Sequence, residues 1–259
     1  MDFRQVEHNL RDMFRSLADA RNGAEVREMG GLTVVCLGAT FQMFNAVFLS
    51  APVESESEFQ TRIAVGAQYM AARGLPWSLW VCDDWLGAPV RKRAARICAA
   101  NGLQLASDMP GMAVERLKDP ARRLPELEVV RVTSELHRRA FCGIGSVCFH
   151  VPSDWFDEIF DGRMGERSGF EGWVGYLNGE PVATAATVTT AGVIGLYNVA
   201  VLPEYRGRGY AEATMRFAAR EARQKSGLDR VILQSTRQAI RMYERLGFAA
   251  VTRILVFTS

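Results

Sequence analysis

Between Gly195 and Ala222 the chain changes its period within a few residues, and this change limits what it can fold into. Gly195 to Val201 is a β-rich run. Pro203 then breaks it, Gly207 and Gly209 lie two apart, and Ala211, Met215, Ala218 and Ala222 recur at the spacing of one helix face. A strand, a short glycine-bearing loop and a helix must therefore follow in immediate succession. First-turn N–H groups of a helix lack internal partners, and with the macrodipole they make an anion site. Gly207 and Gly209 remove side chains that would hold a phosphate away, while Arg206 and Arg208 bring forks that match phosphate oxygens. The spacing is not that of a nucleotide fingerprint. Glu212 stands where G-x-G-x-x-G needs its third glycine, and no Lys-Ser/Thr pair closes the loop. A pyrophosphate-like group on the helix start is the functional reading, and a basic surface turn is the alternative.

The elements around this segment set the fold class. Asn178-Gly179 is the strongest hairpin signal, because both residues tolerate positive φ, and it joins strand candidates at Gly172 to Leu177 and Val182 to Thr189. Leu127 to Val132 reads as an earlier strand, followed by a helix from near Ser134 and a short one over Ser153 to Phe160. After the Ala211 helix, which Gly227 ends, come a strand at Val231 to Leu233, a helix over Ala239 to Leu246 and closing strand material over Phe248 to Phe257. The order β-α-α-β-β-β-α-β-α-β predicts an α+β fold with a mixed, mostly antiparallel central sheet flanked by helices. Asp119-Pro120, Arg122-Arg123 and Pro125 form a plausible connector, giving two domains, 1–125 and 126–259. In the first, strands are expected at Leu32 to Leu37, Asn45 to Leu49 and Trp77 to Val81. Helices are expected over about Glu56 to Arg73 and, after Pro89, over Val90 to Ala100.

The loop resembles that of the GNAT superfamily of acyl-CoA N-acyltransferases, whose signature Gln/Arg-x-x-Gly-x-Gly/Ala is met by Arg206-Gly207-Arg208-Gly209-Tyr210-Ala211. Val201-Leu202-Pro203-Glu204-Tyr205 matches the Val-x-Pro-x-Tyr that such members place upstream. Tyr243 with Gly247-Phe248 matches their late tyrosine and Gly-Phe pair, and the resemblance covers about 127–259. It implies that acetyl-CoA, or another acyl-CoA, serves as acyl donor, its pyrophosphate held by the N–H groups from Gly207 to Ala211, with Arg206 and Arg208 beside them. It implies that the pantetheine arm pairs like an extra strand with Val199 and Val201, and that Tyr243 serves the departing thiolate. The first domain, lacking the loop, resembles a degenerate second copy that shapes the acceptor pocket and binds no cofactor.

Direct acetyl transfer to a primary amine, on a small molecule or a peptide, is the expected activity. A catalytically silent acyl-CoA-binding or scaffold protein is the alternative. No general base stands out, since Glu171 and Glu180 both read as solvated turn or strand-end residues. Cys142, Cys148 and His150 lack a fourth ligand, so packing explains them better than zinc, and no metal is expected. Cys82 lacks a nearby histidine for nucleophilic work. Arg91-Lys92-Arg93 reads as the wet face of a helix, and Trp77 and Trp80 as sheet anchors in preference to a cleft lining. With Lys+Arg 31 against Asp+Glu 29, charge gives no case for nucleic acid. No apolar stretch suits a bilayer, the N-terminus lacks the pattern of a secretion signal, and five cysteines suit buried free thiols, so a cytoplasmic protein is expected, as monomer or homodimer.

Overall fold

The computed structural model describes residues 2–160 and 169–259. In chain order the elements are α1 (Phe3–Asp19), β1 (Glu25–Met29), β2 (Leu32–Cys36), β3 (Asn45–Leu49), α2 (Glu56–Ala71), β4 (Ser78–Cys82), α3 (Ala88–Arg91), α4 (Ala94–Ala100) and β5 (Gln104–Val114). They continue with β6 (Glu128–Arg131), α5 (Glu135–Phe149), α6 (Ser153–Ile159), β7 (Phe170–Leu177), β8 (Glu180–Thr190), β9 (Val193–Val201), α7 (Tyr210–Ser226), β10 (Val231–Gln234), α8 (Ile240–Arg245) and β11 (Ala249–Thr258). The order expected after residue 126 is the order found. Asn178 and Gly179 take φ of +51° and +86°, as a two-residue hairpin turn requires, and Gly227 closes α7 in the left-handed region.

The eleven strands of the described residues form one sheet, ordered β1-β2-β3-β4-β11-β5-β10-β9-β8-β7-β6. Two similar runs meet in it. β1-β2-β3 is an antiparallel meander followed, after α2, by β4 parallel to β3. β7-β8-β9 is a second meander followed, after α7, by β10 parallel to β9. The two last strands are exchanged: β5 of the first run pairs with β10 of the second, and β11 of the second pairs with β4 of the first. β5 and β11 join each other at the centre, from Ala249↔Ala113 to Thr258↔Gln104.

α1 lies across this junction. Val6, Leu10, Met13, Phe14 and Leu17 supply its buried apolar face, and Asp2 caps it by accepting from the Arg4 N–H at 3.0 Å. The same face buries Asn9, whose amide donates to the carbonyls of Val188 (3.0 Å) and Thr190 (3.2 Å) and accepts from the Tyr197 hydroxyl (2.6 Å). The helix comes this close because the sheet is cleared beneath it. A Cβ on Gly195 would run into the Asn9 amide, and one on Gly111 would meet Val6 at 2.9 Å and Thr252 at 2.5 Å. Among the described residues, no helix is long and apolar enough to cross a membrane.

The helix expected over Val90 to Ala100 is broken at Lys92-Arg93 into α3 and α4. Its basic residues are turned to local partners: Arg91 donates to the Asp83 and Leu86 carbonyls, and Arg93 pairs with Glu56 at 2.6 Å.

Candidate functional site

β9 and β10 begin side by side and then part. Only Ile194 and Gly195 of β9 face Val231 and Ile232 of β10, although β9 runs on to Val201. On its other edge β9 stays paired with β8, through a bulge at Asn198 (φ +47°), where the Thr184 hydroxyl donates to the Asn198 carbonyl at 2.8 Å. The Leu202 N–H reaches the Val182 carbonyl, so alternation along the strand turns Val199 and Val201 toward the opened side. Part of that edge is used within the chain. The Val201 carbonyl accepts from Arg206 Nε (3.1 Å) and from Cys148 Sγ (3.2 Å). Among the described residues, Val199, with the Val201 N–H, faces the opened side where β10 has parted from β9.

The loop after β9 turns back over this opening. Gly207 and Gly209 have φ of +78° and +91°, and Gly209 directly precedes the first turn of α7, whose Ala213 N–H is the first to reach back, to the Gly209 carbonyl at 3.0 Å. The N–H groups before it are the orphan donors of a helix start. A Cβ at Gly209 would meet Pro125 Cδ at 3.2 Å and Arg122 Nη2 at 3.3 Å, so the connector packs against the loop.

A cavity of about 340 Å³ follows from this geometry. It is lined by Val199, Val201, Arg206, Gly207, Gly209, Tyr210 and Ala211, and by Tyr243 of α8. Of the sequence-expected residues, Arg208 alone is not part of the lining. Its guanidinium lies over the Tyr205 ring, 5.9 Å from the centroid. Two cations not anticipated from sequence stand in the wall: Arg245 of α8 and Arg122 of the connector. Nothing in the local pattern around Arg122 marks it, because only the folded connector brings it to the loop.

Tyr243 is buried, with its ring edge-on to Phe248 at 5.6 Å, and burial pushes its phenol up to about 12. It also lines a second cavity, of about 460 Å³, on the far side, and Val199 and Ala239 share both linings. This second space lies between the two sheet runs. One wall is Phe14 of α1, with Phe44 and Trp80; the other is Phe149, Phe156, Phe160 and Phe170. Trp80 thus both packs on Phe48 (5.7 Å, stacked) and faces a cavity, while Trp77 is core. None of the described residues lining this space is a carboxylate, a histidine or a cation.

The other singled-out residues lie elsewhere. Glu171 is bound by Lys225 (2.7 Å) and Arg131 (2.9 Å) on β7. Cys82 is buried, shares a hydrogen bond with Thr252 at 3.0 Å, and has its thiol pushed up to about 12 by burial. No cluster of metal-ligating side chains occurs among the described residues.

Comparison with known proteins agrees with this architecture. Residues 133–248 match the model of the acetyltransferase (GNAT) family. A GCN5-related N-acetyltransferase from Kribbella flavida superposes with a TM-score of 0.73 at 19% identity, covering 99% of this chain and 94% of that one. The fold is the GNAT acetyltransferase fold. A functionally unknown conserved protein from Staphylococcus epidermidis shares it (TM-score 0.66, 13% identity, 92% of this chain and 94% of that one). So does a GCN5-related N-acetyltransferase from Sphaerobacter thermophilus (0.59, 19%, 88% and 76%). No curated protein matches the chain.

Proposed function

We propose that the protein is an acetyl-CoA-dependent N-acetyltransferase that acylates a primary amine by direct attack. The observation that carries this reading is the 340 Å³ cavity, which joins orphan N–H groups at the start of α7, the unpaired β9 edge and the buried Tyr243 phenol in one continuous space. The residues fit the cofactor. The α7 start and Gly207 to Ala211 suit a pyrophosphate, with Arg122, Arg206 and Arg245 at the wall, and Val199 with the Val201 N–H suits an extended amide-bearing arm. Bound acetyl-CoA would supply the thioester carbonyl that the amine attacks.

The protein's own part is positioning and proton supply. An unpaired strand edge holds an extended arm in one register, and alignment of two reactants is itself worth many powers of ten in rate. Tyr243, holding its proton because burial disfavours the phenolate, donates it to the leaving thiolate.

In the first half, the place corresponding to the α7 start is blocked. Glu56 and Glu58 occupy the first turn of α2, and Arg62 fills the neighbouring space by donating to the carbonyls of Ala51 and Pro52, both at 2.8 Å. This supports a degenerate copy, 1–125, that takes no cofactor and serves by walling the second cavity for the catalytic half, 126–259. Four buried free thiols and a fifth half-buried one suit a cytoplasmic setting.

The lack of a described carboxylate or histidine around the second cavity favours one other reading, a silent acyl-CoA-binding protein. Incubation with acetyl-CoA and a broad amine panel, followed by free-thiol release, separates the two. Acceptor-dependent release is expected. Tight cofactor binding with no release for any amine supports the silent form, and no binding of coenzyme A or its acetyl ester refutes both.

A further inference from the structure

We infer that the second cavity is the acceptor site and that the acceptor is an amine on an aromatic or other apolar body, taken up in its neutral form. The inference rests on the acetyltransferase reading. The cavity meets the cofactor space at Tyr243, Val199 and Ala239, so whatever lies in it faces the reacting carbon from the side opposite the pyrophosphate. Its volume of about 460 Å³ is far more than an acetyl group needs and is in the range of small-molecule pockets. Aromatic rings build both walls. Phe14 lies 5.1 Å from Trp80 on one side, Phe156 lies 5.1 Å from Phe160 on the other, and Phe149 stacks on Phe156 at the mouth, 40% exposed.

Such a lining rejects a polyamine or a lysine side chain. A second ammonium or a carboxylate would be stripped of water with no described charge to receive it. A flat apolar body instead gains contact area on rings already held in place. The described lining also carries Ser107, Asn198, Thr236 and Gln234, and of these Gln234, at the end of β10, has its amide nitrogen buried and unpartnered, ready for a single oxygen on the acceptor or the acyl group.

The same lining accounts for the missing base. A lining whose described residues carry no charge disfavours the ammonium form, so the amine leaves its proton in bulk water before it enters. The nitrogen lone pair then attacks the acyl carbon, the C–S bond breaks, and Tyr243 protonates the thiolate. The extra proton of the new amide nitrogen passes through water to the Tyr243 phenolate and restores the acid, so the step balances without an enzymic base.

The test compares phenethylamine, spermidine and free lysine as acceptors with acetyl-CoA. Phenethylamine is expected to exceed the other two by roughly 10- to 200-fold in kcat/KM, and its kcat/KM is expected to rise with pH until the amine itself is neutral. An arylamine already neutral at pH 7 is expected to give a flat profile. Phe149→Lys, at the exposed mouth, is expected to weaken phenethylamine use while leaving the melting temperature and the KM for acetyl-CoA unchanged. Calorimetric titration of phenethylamine into the protein reads the cavity even if no transfer occurs. Equal or better use of the polar amines, no phenethylamine binding, or an octanoyl-CoA preference that ignores the acceptor would each overturn the inference. Failure of the acetyltransferase reading is seen separately, as no thiol release with any amine while phenethylamine still binds in the calorimetric titration.

Discussion

Tyr243 stands where the two cavities meet, and in the proposed acetyl transfer its burial would suit it to give up a proton late in the reaction. An exposed tyrosine titrates near 10, whereas this one is held up to about 12, so the acid form persists throughout the range in which amines become neutral. Tyr243→Phe is therefore expected to lower kcat about 100-fold with the Kd for acetyl-CoA unchanged. The wild-type kcat is expected to show no alkaline limb below about pH 10. A limb well below that, or an unaltered kcat in the variant, would remove the tyrosine from the reaction. Arg122 allows a milder test. It is exposed, so Arg122→Ala should weaken coenzyme A binding only about two- to five-fold, with the effect fading at high salt. The tyrosine could be found in the sequence because the Gly-Phe pair that follows it is a local mark. The arginine could not, because its neighbours in sequence are connector residues and its neighbours in space, Gly209 and Pro125, are set by the fold.

The element that matters most is β9, and its bulge decides which backbone groups reach the open edge. Asn198 holds φ +47° there, a conformation asparagine tolerates and a β-branched residue does not. Asn198→Gly should be nearly neutral in stability, while Asn198→Val should cost about 1–2 kcal/mol and loosen cofactor binding, because a relaxed strand would turn Val199 away from the opening. Equal melting temperatures and equal affinities for the two variants would show that the bulge is not the controlling feature. The second half of the chain was legible at this scale because its punctuation is strong: Asn178-Gly179, Gly227 and Gly247 each mark an end. α1 is absent from the sequence expectations although Val6, Leu10, Met13, Phe14 and Leu17 recur at helical spacing; what the sequence does not show is that the same helix buries Glu7 and Arg11 as a mutual pair and Asn9 against carbonyls of β8 far along the chain. β5 was hidden differently. Its first residues are exposed and Pro110-Gly111 interrupts it, yet it lies at the centre of the sheet.

In the whole molecule, the exchanged strands make each half depend on the other. β10 has β9 on one side for only two residues, so β5 is its main partner, and β11 is held between β4 and β5, both from the first half. α1 adds a second tie, since Asn9 satisfies carbonyls of β8 and Asp12 accepts from the Thr190 hydroxyl at 2.5 Å. The connector expected near residues 119–128 from its prolines lies between two strand runs of similar topology, but no sequence pattern could announce that their last strands trade places. A fragment of residues 126–259 produced alone would leave both β10 and β11 with open edges and uncover the apolar side of β9, the conditions that promote edge-to-edge aggregation. It is expected to be insoluble or to lack a cooperative thermal transition. Co-expression with residues 1–125 should restore a soluble complex that unfolds in one step and binds coenzyme A, because the partner returns β5 and α1 together. A monomeric 126–259 fragment that melts cooperatively and retains cofactor affinity would mean that the exchange contributes little, and that the first half serves the second cavity alone.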